Sequence, residues 1–266
     1  MVLDVFPGPA TDIRKPFITA ERLELAYRSG KETNKVLEQI DLAVSQGEFV
    51  AVLGPSGCGK SSLLKILAGY EKPTGGRILI DGEPHQGPNI EIGVVFQQAN
   101  LFPWLNIEKN VEFGLKMKGM PRASRKKEVA RLLETVDLAN ARHLLPHQLS
   151  GGMKQRAAIA RSLATEPKII LMDEPFGALD SITRQTLQEQ LKSLWKQTNK
   201  TIFFITHDVD EAIFLGSRLL VMNGSPGKIV LDEPNPLLGQ IVDPEQYRGL
   251  AGYHELRQLL VNHLKK

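Results

Sequence analysis

The 266-residue sequence predicts an α/β protein built around a mostly parallel sheet. Two observations predict it. Apolar runs at 169–172, 202–205 and 219–222 read as buried strands, and they alternate with helix-patterned segments near 152–164, 181–197 and 209–215. The apolar run 49–53 passes directly into a glycine-rich loop, and a helix over 60–68 follows.

Bulk composition sets the limits. Apolar residues make up 42% and charged residues 24%, as in a soluble globular domain. No run approaches the ~20 apolar residues that span a bilayer. The start, Met1 to Pro7, lacks the basic flank and long apolar core of a signal peptide, so a cytoplasmic protein is expected. One cysteine, Cys58, excludes an internal disulfide framework and a multi-cysteine metal site. The net charge of +3 is mild. The basic cluster Arg122, Arg125, Lys126, Lys127 and Arg131 has no interleaved aromatics. It reads as the solvated face of a helix, and no nucleic-acid partner is expected.

Along the chain, residues 1–16 carry three prolines and read as a flexible tail. Segments 17–27 and 36–44 alternate like antiparallel strands around a turn at 29–34. Residues 92–96 form a further strand. Between 106 and 140, Val111, Leu115, Val129, Leu132, Leu133 and Val136 fall at helical spacing, and Gly119-Met120-Pro121 divides the stretch into two helices. This is the core of a helical insert spanning about 99–165. In 244–266, Tyr253, Leu256, Leu260 and Leu264 predict an amphipathic helix packed on the body. The division expected is a tail at 1–16, a body at 17–240 and a C-terminal helical extension at 241–266.

The chemistry begins at Gly54-Pro55-Ser56-Gly57-Cys58-Gly59-Lys60-Ser61. Its glycines let backbone N–H groups turn inward on the phosphates of a nucleoside triphosphate. Lys60 adds a point charge, the Ser61 hydroxyl can coordinate Mg²⁺, and Ser62 can reach the α-phosphate. An ordinary glycine turn is the alternative, and the flanking strand and helix weigh against it. Asp173 ends a buried strand, where a carboxylate is costly without a cation. Glu174 follows, so strand alternation sends its side chain to the other face, where it can polarise an attacking water. His207, with Asp208 beside it, sits at the same sheet edge as Asp173, where ligands of open α/β sheets collect. Tyr27 ends the first strand pair. Its ring can stack on adenine, or be no more than a half-buried strand tyrosine. Ser150, Gly151 and Gly152 open a helix and make a second anion site, although one phosphate group needs only one. Cys58, close to Lys60 and a helix start, is expected to be a reactive thiol that maleimide labels, the alternative being an inert small side chain tucked under the loop.

With Leu149-Ser150-Gly151-Gly152-Met153 lying between the phosphate loop and Asp173-Glu174, the chain resembles ATP-binding subunits of ABC transporters over about 17–231. The resemblance implies a P-loop NTPase fold: a mostly parallel core sheet, an N-terminal antiparallel β subdomain and a helical insert. It implies ATP hydrolysis with Mg²⁺ held by Ser61, Asp173 and Gln97, Glu174 on the attacking water, and His207 as a switch on the γ-phosphate. Gln97 is chosen over Gln98 because it immediately follows the strand at 92–96. In the family, the second site at Ser150 to Gly152 binds the ATP of a partner subunit, and Asp180 lies in the Ala178-Leu179-Asp180 loop that crosses the same interface. A head-to-tail pair with a second copy is implied. Met153 departs from the usual glutamine, at a position that varies among related subunits.

Leu101-Phe102-Pro103-Trp104-Leu105 is apolar and aromatic outside a core pattern, and the family places a membrane subunit there. With Ser225-Pro226-Gly227-Lys228-Ile229, it resembles the nitrate, sulfonate, taurine and bicarbonate import group. Aliphatic sulfonate or taurine is the first cargo implied, nitrate or bicarbonate the second, and a thiamine precursor a third. The partners implied are separate multi-span permease subunits and, indirectly, an extracytoplasmic solute-binding protein. The place implied is the cytoplasmic face of the inner membrane, peripherally bound. A soluble ABC ATPase unlinked to transport is the alternative of another class. Such proteins carry long coiled-coil insertions or two cassettes, and this chain has neither.

Overall fold

The computed structural model describes residues 16–30, 32–177, 179–240 and 246–265. All of the tail read at 1–16 except Pro16 lies outside them.

A small sheet forms first. Strands β1 (Ile18–Ser29) and β2 (Glu32–Val44) pair antiparallel, with Leu23 opposite Ile40 and Leu25 opposite Leu37. All four side chains are buried, which fixes the register. Strand β3 (Phe49–Leu53) starts the central sheet, and helix α1 (Lys60–Leu67) follows the glycine loop. Strands β4 (Gly75–Ile80) and β5 (Glu83–Pro84) return to the small sheet, whose order is β2-β1-β4-β5. Sequence reasoning missed β4, because its two leading glycines and Arg77 leave only Ile78-Leu79-Ile80 as a strand pattern.

After β6 (Ile92–Val95) come α2 (Ile107–Met117), α3 (Arg122–Thr135) and α4 (Gly151–Ala164). Asn106 caps α2, accepting from the Lys109 N–H at 2.8 Å, and Gly119 to Pro121 end one helix before the next begins. On α3 the basic residues face solvent or acids: Arg125 pairs with Glu112, and Arg131 with Glu128. Then β7 (Ile169–Asp173), α5 (Ser181–Thr198), β8 (Thr201–Ile205), α6 (Val209–Leu215) and β9 (Arg218–Asn223) alternate as the periodicity predicts. Strand β10 (Lys228–Pro234) was missed, as were β4 and β5. It pairs antiparallel with β9 at the sheet edge, where charged residues are tolerated. The six-stranded order is β10-β9-β3-β8-β7-β6, parallel from β9 to β6.

Alternation along β3 divides the core. Phe49, Ala51 and Leu53 pack toward the helical side, and Val50 and Val52 toward α1 and the small sheet. No described helix is long and apolar enough to cross a membrane.

The C-terminal helix starts later than the sequence suggests. Helix α7 (Tyr253–Leu264) begins after a turn closed by Gly252 at φ +87°, not at Pro244, which lies with 241–245 outside the described residues. Tyr253, Leu256 and Leu260 are buried as expected. The Tyr253 hydroxyl donates to Asp210 Oδ1 at 2.6 Å, and Arg257 and Arg248 each pair with Asp210 at 3.1 Å. One carboxylate on α6 thus anchors the extension.

Candidate functional site

The site stands at the C-terminal ends of β3, β7 and β8, three neighbours in the sheet. After Leu53 the chain turns through a loop whose crown, Pro55 to Gly57, is exposed. Gly57 has φ +87° and Gly59 φ +92°, values that side chains rarely adopt. A Cβ on Gly59 would also lie 2.5 Å from Leu37. Among the described residues, the N–H groups of Gly57, Gly59, Lys60 and Ser61 donate to no protein acceptor. They open a helix, so the macrodipole adds to their pull on an anion. Gly227 runs beneath the loop: its N–H donates to Val36 O at 2.9 Å, and any Cβ there would strike Cys58 O. The stretch Ser225 to Ile229 therefore supports the phosphate loop from below.

Lys60 is 7% exposed, and its ammonium donates to Gly54 O at 2.7 Å and Pro55 O at 2.9 Å. Cys58 is 2% exposed, with Sγ 3.9 Å from Lys60 Nζ. The reactive, maleimide-accessible thiol expected from the sequence is therefore corrected. Proximity in sequence to a helix start does not give access when the side chain folds under the loop.

Ser61 Oγ donates to Asp173 Oδ1 at 3.1 Å across 112 residues of sequence. Burial pushes the Asp173 carboxyl up, and the charge of Glu174 adds to this. The two oxygens suit a magnesium ion, which takes hard oxygen ligands and commonly only one or two protein groups beside phosphate and water. A bound cation would also relieve the cost of ionising Asp173.

Strand alternation does not direct Glu174. β7 ends at Asp173, and Glu174 takes a left-handed backbone, φ +44°, rare outside glycine and costly enough to suggest a function. Its N–H donates to Ile205 O at 3.0 Å, and its Oε2 lies 3.2 Å from His207 Nδ1. The His207 side chain is 64% exposed and that of Glu174 25%. The turn, rather than the strand, brings acid and imidazole together.

Gln97 and Gln98 are both exposed after β6. Gln97 is near the acids: its Nε2 would lie 3.5 Å from a Cβ placed on Gly177, a residue whose N–H donates to Glu174 O. Gln155, which sequence reasoning missed, donates to Phe96 O at 3.1 Å and fixes the end of β6. The Tyr27 ring is 46% exposed. Its phenol is pushed up chiefly by the hydrogen bond to Glu71, with Ser62 also in contact, so the ring stands beside the start of α1. Glu71 was another residue without a sequence signal.

Ser150, Gly151 and Gly152 lie elsewhere. Ser150 Oγ accepts from Met153 N at 3.3 Å and caps α4. The neighbours of α4 include α2, α3, β6 and α5, and none of these carries a phosphate-loop residue. Asp180 caps α5, accepting from Thr183 N at 3.0 Å, and that hydrogen bond holds its carboxyl below the usual range. Ala178 lies outside the described residues. Trp104 is 72% exposed, its ring tilted against Phe102 at 5.7 Å, and Phe102 meets Phe113 at 4.8 Å. The tryptophan is a surface residue, not core filling.

Comparison with known proteins places the chain in one family. The model of the ABC transporter family matches residues 37–177. The taurine import ATP-binding protein TauB of Pseudomonas aeruginosa is 44% identical over 248 residues, 92% of this chain and 94% of that protein. An uncharacterised ABC transporter ATP-binding protein of Methanocaldococcus jannaschii is 46% identical over 218 residues, 82% of each chain. Among solved structures, a dimeric ATP-binding cassette in a post-hydrolysis state with ADP and phosphate has a TM-score of 0.74 and 35% identity, over 82% of this chain and 98% of that one. The cbiO1 protein of Clostridium perfringens, part of an ABC transporter complex, has a TM-score of 0.75 and 28% identity, over 92% and 99%.

Proposed function

The chain belongs to the ABC transporter family of ATP-binding proteins, and from that premise we propose that it powers the import of taurine or a related aliphatic sulfonate. The observation that carries the ATPase reading is the convergence at one sheet edge. Open N–H groups and Lys60 face Ser61–Asp173, with the Glu174–His207 pair alongside.

In this reading the N–H groups of Gly57 to Ser61 hold the β- and γ-phosphates, and Lys60 exchanges its two loop carbonyls for phosphate oxygens. Ser61, Asp173 and Gln97 would hold Mg²⁺, which neutralises developing phosphate charge when bound. Glu174 orients the attacking water and accepts its proton, while water oxygen bonds to the γ-phosphorus and ADP leaves. His207 keeps the Glu174 carboxylate in place and faces the γ-phosphate. Tyr27 stacks on adenine. Ser150 to Gly152 and Asp180 serve the ATP of a second copy, set head-to-tail. Residues 17–240 form the ATP-binding body and 241–266 an extension.

The chain would work on the cytoplasmic face of the inner membrane, bound to multi-span permeases that a solute-binding protein loads from outside. The exposed Phe102–Trp104 patch is the surface we assign to the permease. The cargo reading is supported by the TauB relatives. Its test is uptake of labelled taurine by cells with and without the gene, beside butanesulfonate and nitrate. Loss of taurine uptake alone is the expected result. Loss of nitrate uptake alone would move the assignment to the oxyanion importers. Trp104→Ala should lower uptake and leave the ATPase of the isolated subunit unchanged.

A further inference from the structure

Beside the Glu174–His207 pair lies a small cavity, with room for about one water. Arg184, Asp208 and Glu211 line it together with Glu174 and His207. Arg184, on the first turn of α5, donates from Nη2 to Leu179 O at 3.0 Å, in the loop just after Gly177. Its Nη1 stands 3.8 Å from Asp208 Oδ2. Its Nε is buried and has no hydrogen-bond partner among the described residues. Asp208 in turn accepts from the N–H groups of Asp210 and Glu211, at 2.9 and 3.2 Å, and so caps α6 immediately after His207. Glu211, held by Gln188 at 2.9 Å, is pushed up by burial. Asp208 is the carboxylate with which Arg184 forms its ion pair, and the Arg184 charge also acts on Glu211.

We propose that Arg184 is a positioning residue for hydrolysis, tying the Gly177–Asp180 loop to the loop that carries His207. A guanidinium kept for packing alone would have its buried donors satisfied. This one has a spare donor and a long ion pair, so it can tighten. When the Leu179 carbonyl moves, Arg184 moves with it, and its pull on Asp208 shifts the cap of α6 and the adjacent His207. Through this link, the loop we assign to the partner interface sets the Glu174–His207 contact. The inference rests on the ATPase reading above.

The test uses the full chain, with steady-state ATPase and melting temperature for Arg184→Gln, Arg184→Lys, Asp208→Asn and the double variant R184Q/D208N. Asparagine caps a helix as well as aspartate does, so Asp208→Asn removes the charge and keeps the cap. Arg184→Gln should lower kcat about tenfold, with KM for ATP little changed. Arg184→Lys should fall between it and the parent. Asp208→Asn should match Arg184→Gln, and the double variant should be no worse than either. The His207 imidazole NMR signals should shift in Arg184→Gln while those of His85 stay. If Arg184→Gln melts more than about 5 °C early, Arg184→Lys and Asp208→Asn carry the same comparison. An unchanged kcat, a loss confined to KM, additive losses in the double variant or an unmoved His207 signal would each overturn the link. An inactive parent protein would instead overturn the ATPase reading.

Discussion

The phosphate-loop edge and the start of α4 both offer phosphate-binding chemistry, but only the first is furnished within one chain. At the loop, Lys60, Ser61, Asp173, Glu174 and His207 come from three separate segments, with Ser61 bonded to Asp173 and Glu174 to His207. At α4, Ser150 caps its own helix, and neighbouring helices bring no acid, lysine or histidine of the first site. A cation-linked, acid-bearing edge can do chemistry, whereas a bare helix start can only bind. The difference is what the proposed head-to-tail pairing with a second copy would resolve, and each experiment below can sharpen or break that contrast.

The largest effect belongs to Glu174. Glu174→Gln should cut ATP turnover by at least ~100-fold, since the general base is lost while shape is kept. ATP binding, measured by calorimetry, should persist. Turnover near the parent value would remove Glu174 from the reaction.

Lys60→Ala should weaken ATP binding about 100-fold, or ~2.7 kcal/mol, because a charged donor to phosphate is lost. Ser150→Ala should leave nucleotide affinity of the monomer unchanged. Mixed with Lys60→Ala subunits, it should give heterodimers with one intact composite site and half the parent occupancy. Two equal, independent sites in the mixture would contradict the head-to-tail arrangement, and with it the contrast between the two regions.

The smallest effect is on stability. Folding raises the Asp173 carboxyl above its unfolded value. Ionising it therefore costs stability as pH rises through the raised value, and nothing is lost below the ordinary carboxylate range. Asp173→Asn, which can still accept from Ser61, should melt about 2 °C higher than the parent at pH 8 without Mg²⁺ or nucleotide. The gap should close toward pH 4. A gap that stays constant across this range would mean that ionisation of Asp173 is not its source.

Much of this was legible in the sequence. Periodicity gave the parallel strands β3, β6, β7, β8 and β9, because strands buried on both faces must be continuously apolar. Glycine spacing gave the turn between β3 and α1, because glycine readily takes the left-handed backbone found at Gly57 and Gly59. Strands β4 and β10 were not legible, since glycine and edge charges erase the pattern that burial writes. Nor was the start of α7, which a left-handed glycine sets.

Tertiary structure alone decided how the side chains of the site meet. The left-handed turn at Glu174 overrides strand alternation and faces the acid toward His207. The fold buries Cys58, sets Trp104 on the surface and leaves Arg184 stretched between Leu179 and Asp208. The reason is physical. Local sequence fixes what a segment can form, through backbone preference and apolar period. Contacts between residues tens of positions apart depend on how those segments pack, and no local pattern encodes that distance.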